Sequence, residues 1–168
     1  MKMKFQLIAL TLASVVVAQS AQIGAPQQGS SIAAGSNFTV MIEKSNSLTS
    51  SQDVAIVIGL APCGDAALAC PDTRSKLGEI LYQGSFNPQY ATPPGALPPH
   101  QNFSLQIPAS FAPGQATLGV AHFSLIGAVM SPSLETFNTT LVITNVSSGT
   151  SGTSGNTRRS MRILGNRA

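Results

Sequence analysis

Apolar and polar residues alternate in several short segments of the chain, and this pattern predicts β-strands. In the segment 36–43, Phe38, Val40 and Ile42 occupy one face, and the opposite face carries Asn37, Thr39, Met41 and Glu43, three of which are polar. The segment 102–107 repeats the alternation. Since successive side chains of a strand point to opposite faces, both segments are expected to cover a core with one face and meet water with the other.

A second pattern marks the centre of a sheet. The segment 53–60 is apolar at nearly every position and rich in β-branched residues, which predicts a strand buried on both faces. Further strands are predicted at 77–82, 116–126 and 134–144, and a short edge strand is predicted around Ile23. Turn residues separate these segments at sandwich-like spacing. The sequence therefore predicts an all-β fold: a single immunoglobulin-like β-sandwich of about seven strands.

A proline-rich segment interrupts this series of strands. Five prolines between Phe86 and Pro99 exclude a regular strand or helix and predict a stiff loop. Such a loop is expected as a connection between the two sheets, or as a rigid recognition surface, because stiff segments lose little entropy on binding. Aromatic residues often anchor interfaces, so Tyr82, Phe86 and Tyr90 are the candidate partner-binding residues.

The N-terminal segment indicates the compartment. Two lysines precede an apolar run from Phe5 to Ala18, which ends in small residues. This is the pattern of a secretory signal peptide, expected over residues 1–20. No second apolar segment reaches membrane-spanning length, and the C-terminus lacks the hydrophobic tail of a lipid-anchor signal. We therefore expect a secreted, extracellular protein without stable membrane insertion.

Composition divides the rest of the chain in two. Residues 147–157 are nearly all Ser, Gly and Thr, and an arginine-rich stretch follows them. This composition is typical of flexible chain. We expect a β-sandwich domain over 21–146 and a disordered tail over 147–168.

The charge of the domain differs from that of the whole chain. The formal net charge of +3 comes from the two ends of the sequence. Between Ala21 and Asn145 there are three basic residues, Lys44, Arg74 and Lys76, against six acidic ones, a net charge of −3. A mildly acidic domain argues against nucleic acid as a partner.

Cysteines and asparagines carry the expected covalent modifications. Cys63 and Cys70 should pair as a disulfide in an oxidising pathway, since their spacing is not the C-x-x-C of redox or metal sites. Four glycosylation sequons make the chain a candidate glycoprotein, with polar unmodified residues as the alternative. The sequons begin at Asn37, Asn102, Asn138 and Asn145. The first three fall on the polar sides of predicted strands, where a glycan would face water.

Motifs for catalysis are absent from the sequence. Neither a metal-binding helix motif nor a nucleophile elbow nor a phosphate-binding loop occurs. His100 lies in the proline-rich loop, whereas His122 shares an apolar strand face with Leu118 and Val120, which is typical of a hydrogen-bonded core histidine. We expect no enzymatic activity, no catalytic residues, no metal and no cofactor.

Seven runs of residues give the chain a family resemblance. They are NSLT at 46–49, VAIVIGL at 54–60, LGEILYQG at 77–84, FNPQY at 86–90, QNFS at 101–104, IPASF at 107–111 and VAHFSLIGA at 120–128. In this order they resemble the necrosis-inducing secreted protein family of fungal effectors, over 24–145. The resemblance implies an effector that binds host proteins, namely plant immune receptor-associated kinases, to suppress immunity or provoke cell death. It also implies action in the host apoplast or inside host cells.

A fungal cell-wall or carbohydrate-binding β-sandwich module is the alternative function. The predicted sandwich and the Ser/Thr-rich tail favour it. The chain contains no Trp and only 5% aromatic residues, which argues against it, because sugar-binding platforms use flat aromatic rings.

Overall fold

The computed structural model describes residues 21–64, 69–93 and 95–145, and these residues form eight β-strands. The strands are β1 Ala21–Ala25, β2 Ser31–Ala33, β3 Asn37–Lys44, β4 Ser51–Pro62, β5 Glu79–Gly84, β6 His100–Gln106, β7 Gly114–Ile126 and β8 Ser131–Thr144. No helix occurs within these three ranges. The predicted signal peptide and the predicted tail from residue 147 lie outside the described residues.

Two sheets pack face to face. One has three strands in the order β1-β3-β6, all antiparallel, and the other has five in the order β2-β8-β7-β4-β5. In the larger sheet, β2 runs parallel to β8 and the other neighbours are antiparallel. The prediction of an all-β, immunoglobulin-like sandwich is confirmed, with eight strands in place of about seven.

Inward side chains of both sheets form one core. Its large, fully buried aliphatic members come from β3, β4, β7 and β8 and from the residue after β6: Val40, Ile42, Ile56, Ile58, Leu60, Ile107, Leu118, Val120, Leu141 and Ile143. Burying a branched aliphatic side chain stabilises a fold by about 1.5–3 kcal/mol, so this shared layer holds the sheets together. The alternation predicted for β3 and β6 is confirmed by their burial.

Strand β4 is central, as its uniformly apolar sequence predicted, with β7 on one side and β5 on the other. Its pairing with β7 shifts between Asp53 and Ala55. This β-bulge adds a residue, Val54, and turns Asp53 to the same inward face as Ile56. Strict alternation from Ile56 would have placed Asp53 on the outer face.

The predicted N-terminal edge strand is two strands in different sheets. Strand β1 pairs with β3, and β2 pairs with β8 at the edge of the other sheet. Between them lies Pro26, which has no N–H to donate to a ladder. The chain therefore leaves one sheet at this proline and joins the other five residues later.

Candidate functional site

Phe86, one of the three predicted partner-binding aromatics, lies in the core. It is 3% exposed. Its ring stacks at 6.4 Å from that of Phe103 and meets the imidazole of His122 edge-on at 5.2 Å. A partner cannot contact this ring while the sandwich is closed, so the prediction is corrected here. The physical role of Phe86 is to anchor the start of the proline-rich loop to the core.

Tyr82 and Tyr90 differ in how far a partner can reach them. Tyr82 on β5 is half-buried, with its ring 4.6 Å from that of Phe103, and its hydroxyl donates to the carbonyl of Ser85. Tyr90 is 58% exposed, and its hydroxyl donates to Oδ1 of Asn46 at 2.8 Å. Tyr90 is therefore the most accessible of the predicted set, and it also fastens the proline-rich loop to the β3–β4 loop.

A polar cluster beneath this end of the sandwich joins the two sheets. His122 on β7 is fully buried, and its Nε2 lies 3.0 Å from Oδ1 of Asp53 on β4. The other oxygen of Asp53 accepts a hydrogen bond from Nζ of Lys44 at 2.6 Å. Lys44 belongs to the three-stranded sheet, so this ion pair ties one sheet to the other. The prediction of a hydrogen-bonded core histidine at position 122 is confirmed.

Asp53 is held in its ionised form by these partners. Burial favours the neutral acid, but hydrogen bonds from His122 and Lys44 and the charge of Lys44 outweigh it, and the pKa of Asp53 lies below its usual value of 3.8. A carboxylate only accepts hydrogen bonds, so Nε2 of His122 carries the proton. Glu135 faces the opposite ring nitrogen, with Oε2 at 3.8 Å from Nδ1.

Lys44, Asp53 and His122 are here called the joint, because their contacts with one another connect the two sheets. Ser124, the next inward residue on β7, has a buried hydroxyl without a hydrogen-bond partner among the described residues, and Nε2 of His122 bonds Asp53 and not this hydroxyl. His100 lies elsewhere, with Nδ1 2.9 Å from the carbonyl of Pro98. Among the residues that the structure describes, no group of three or more His, Cys, Asp or Glu side chains could hold a metal ion.

A polar pocket of about 310 Å³ opens above this joint, between the β3–β4 loop and the proline-rich loop. It is lined by Lys44, Ser45, Asn46, Ser47, Thr49, Ser50, Ser51, Asp53, Asn87, Pro88 and Pro99. The two charged residues of this lining, Lys44 and Asp53, form an ion pair with each other. The pocket therefore offers hydroxyl and amide groups to a ligand, without an unpaired charge.

All four sequon asparagines are exposed. Asn37 and Asn102 share the outer face of the three-stranded sheet, Asn138 lies on the outer face of the five-stranded sheet, and Asn145 follows β8. Each amide is accessible to a glycan, and occupancy stays a prediction.

A segment that starts at the disulfide has a position that the sequence did not predict. Cys63 and Cys70 form a disulfide, as predicted. From it the segment 70–78, here called the strap, crosses the outer face of the five-stranded sheet to reach β5. It crosses where two glycines pair across neighbouring strands, Gly59 of β4 and Gly119 of β7.

Both glycines are required by the closeness of the strap. A Cβ at Gly59 would lie 2.5 Å from the carbonyl oxygen of Leu77, and one at Gly119 would lie 2.8 Å from Cγ2 of Thr73. Thr73 is buried, and its hydroxyl has no hydrogen-bond partner. Packing contacts, and not a hydrogen bond of this hydroxyl, therefore hold it against the sheet. A glycine inside an apolar strand pattern is the sequence signal for such an approach, and it occurs at both positions.

A groove of about 340 Å³ runs beside the strap. Its walls are Thr73, Arg74 and Leu77 of the strap, Ala121 of β7, and Leu134 and Thr136 of β8. Leu134 is 69% exposed. This surface contains none of the residues predicted to bind a partner.

No helix in the described ranges is long and apolar enough to cross a membrane. Among solved structures, two superoxide reductases (neelaredoxins) from Ignicoccus hospitalis match with TM-scores of 0.43 and 0.38 and identities of 12% and 14%. The first match covers 74% of this chain and 80% of that chain, and the second covers 73% and 80%.

Sequence relatives cover most of the chain. It is 31% identical over 148 residues to necrosis-inducing secreted protein 1 of Colletotrichum orbiculare, covering 88% of this chain and 85% of the relative. It is 34% identical over 126 residues to the protein of that name from Colletotrichum higginsianum, covering 71% and 76%. The model of the Nis1 family matches residues 16–142. The chain therefore belongs to the Nis1 family.

Proposed function

We propose that this protein is a secreted effector that binds a host protein, a plant immune receptor-associated kinase, and thereby suppresses immunity or provokes cell death. The observation that carries this proposal is the family match over 16–142, whose two relatives are named necrosis-inducing secreted proteins. Secretion follows from the same relatives. The choice of a kinase as the partner comes from the resemblance of the sequence runs to that effector family.

Binding without catalysis is part of the proposal, and the placement of ionisable groups supports it. Asp53, His122 and Lys44 engage one another and connect the sheets. A catalytic acid or base needs an open face toward a substrate, and His122 is fully buried. A carbohydrate-binding module has less support, since Tyr90 is the only aromatic side chain among the exposed large residues of the described chain.

Affinity capture tests the proposal. The secreted protein is immobilised and incubated with purified kinase domains of plant receptor-associated kinases, with an unrelated kinase domain as the control. Selective binding of the receptor-associated domains is the expected result. Equal binding of the unrelated kinase, or no binding together with retention on fungal wall polysaccharide, contradicts the proposal and supports the cell-wall module.

Tyr90 gives this test a variant pair for the proline-rich loop. Tyr90→Phe removes only the hydroxyl that bonds Asn46, whereas Tyr90→Ala also removes the exposed ring. If the ring contacts the kinase, the alanine variant loses affinity and the phenylalanine variant keeps it. Unchanged affinity in both variants assigns the loop a connecting role.

A further inference from the structure

We propose that the groove beside the strap is a docking surface, and that it receives an apolar side chain from a host protein segment that also carries carboxylates. This inference rests on the proposed function for the nature of the partner. It names a different surface from the proline-rich loop, and the chemistry of the docked segment follows from the groove itself.

Exposed large apolar residues are unevenly distributed over the described chain. Eight are exposed in the described chain, and five of them belong to the five-stranded sheet or its β7–β8 turn: Val54, Ile80, Val129, Met130 and Leu134. The other three lie in loops, and the three-stranded sheet contributes none. Large apolar residues are therefore exposed mainly in this sheet and its turn, and a concentration of such residues marks an interaction surface more often than scattered single residues do.

Leu134 is one of these exposed apolar residues and also lines the groove. It forms one groove wall, and its cross-strand neighbour on the outer face is the half-buried Phe123 of β7. The groove floor at Ala121 is also apolar. A volume of about 340 Å³ accommodates one or two aliphatic side chains, so it suits a protruding residue of a partner segment.

Two of the three basic residues of the domain lie on the strap. The domain has three, and Lys44 is paired with Asp53. The other two, Arg74 and Lys76, are exposed on the strap and form no ion pair with any residue that the structure describes. In a domain of net negative charge, both free cations therefore belong to the strap, and Arg74 itself lines the groove, where it complements a carboxylate of a partner.

Neighbouring acids leave these cations available. The Oδ1 of Asp72 accepts a hydrogen bond from the backbone N–H of Arg74 at 2.9 Å, so it is engaged within the strap. Glu79 pairs with the inward-facing Leu60, so it lies on the other side of the sheet from the groove.

The strap presents its cations from a fixed turn. The carbonyl of Asp72 accepts backbone N–H groups from Ser75 and Lys76 at 2.9 and 3.0 Å, and the disulfide holds the start of the strap. A surface ordered before binding loses less entropy when the partner docks.

A host segment fits the groove better than a second copy of this chain. Among acids in the described residues, Glu43, Asp53 and Glu135 are buried or half-buried, and only Asp72 and Glu79 are exposed. Asp72 lies within the strap, and Glu79 on β5 follows it. Within the described ranges, a second copy can therefore offer from outside its strap only Glu79 beside the exposed Ile80, a single carboxylate where the proposal asks for several.

The first arm of the test measures affinity for the kinase domain captured by the wild-type protein. Leu134→Ser and Arg74→Glu should each weaken binding about tenfold or more, as for interface anchors. Arg74→Lys keeps the charge and should retain most of the affinity. The matched control for Leu134 is Leu48→Ser, which alters a fully exposed leucine in the β3–β4 loop and should leave the affinity unchanged. Circular dichroism confirms that each variant is folded.

The second arm does not depend on the kinase. A synthetic peptide with a leucine between aspartates is titrated into the isotope-labelled protein and followed by NMR, beside a peptide with lysines in place of the aspartates. Chemical shifts of Thr73, Ala121 and Thr136 should move with the acidic peptide and stay in place with the basic one. Equal response to both peptides, or movement confined to the proline-rich loop, overturns the inference.

The two proposals fail in different ways. If the wild-type protein binds kinase domains and the groove variants bind as well as it does, the groove inference is wrong and the proposed function stands. If no kinase binds but the acidic peptide moves the groove signals, the docking chemistry stands and the kinase partner is wrong. A concentration-dependent dimer that Leu134→Ser abolishes would assign the groove to a second copy and contradict the choice of a host segment.

Discussion

The outer faces of the two sheets differ in chemistry although both belong to one small domain. The face of the three-stranded sheet presents Asn37, Thr39, Asn102, Ser104 and Gln106, all exposed and polar, and it contains two sequons. The face of the five-stranded sheet is apolar at Ala121, Phe123 and Leu134 and carries one sequon at Asn138, and a disulfide-anchored strap covers part of it.

This contrast separates a face whose exposed residues are polar from one with an apolar part suited to protein contact. The core alone requires only the inward residues, so it does not account for an apolar outer face. Covering that face with the strap explains Gly59 and Gly119, but it leaves Leu134 exposed. The remaining apolar surface is what the docking proposal explains.

The largest effect is expected from cutting the joint between the two sheets. Asp53→Ala leaves the fully buried His122 and the half-buried Lys44 without their acceptor, and removing one partner of a buried ion pair costs about 3–5 kcal/mol. Chemical denaturation of this variant should show that loss, whereas Glu79→Ala, at an exposed site, should change the free energy of unfolding by less than about 0.5 kcal/mol. A loss below about 1 kcal/mol for Asp53→Ala would show that the joint is not a stabilising contact.

Next in size is the effect of disturbing the strap. Gly59→Ala places a Cβ against the carbonyl of Leu77 and should cost about 1–3 kcal/mol through overpacking. Gly95→Ala is the matched control, because a Cβ there meets nothing within 4 Å. Thermal unfolding of the two variants separates them. Equal stability would mean that the strap does not rest on this part of the sheet.

Acidification should weaken the joint to a smaller degree. The pKa of Asp53 is lowered in the folded protein, so its contribution is complete above the unfolded value of about 3.8 and is lost as the pH falls through the folded pKa. Unfolding free energies at several pH values between about 5 and 2 should therefore decline more steeply for the wild-type protein than for Asp53→Asn. Parallel curves for the two proteins would contradict this assignment.

Removing the sequons of the polar face should have the smallest effect. Asn37→Gln and Asn102→Gln alter exposed positions, so each should change stability by less than about 0.5 kcal/mol. Intact-mass measurement of the secreted protein reports whether a glycan is lost, and kinase affinity should be unchanged. A large loss of affinity would place the partner on the polar face and reverse the comparison.

Much of the fold was predictable because burial follows local alternation. The period-2 pattern around Val40 and the apolar run at 54–60 specify strands without knowledge of their partners. His122 was assigned to the core from the residues two and four positions before it on the same face. Exceptions arise where the backbone breaks the period, as at the bulge that turns Asp53 inward.

The site was less predictable because its contacts join distant parts of the chain. Phe86 lies between Gly84 and Pro88 in a segment with surface composition, and only the folded structure places its ring against His122. Gly59 and Gly119 are 60 positions apart, and their pairing depends on the register of β4 with β7. Single-sequence patterns report the face of a residue and do not report its neighbour across the sheet.

Hydrogen–deuterium exchange of the secreted protein, alone and with a bound kinase domain, tests the central claim most directly, namely that a partner docks on the outer face of the five-stranded sheet. The account predicts new protection in the strap at 72–77 and in the segments 119–123 and 134–136. Protection confined to 37–43 and 102–106 of the polar face, or to the proline-rich loop, would contradict it.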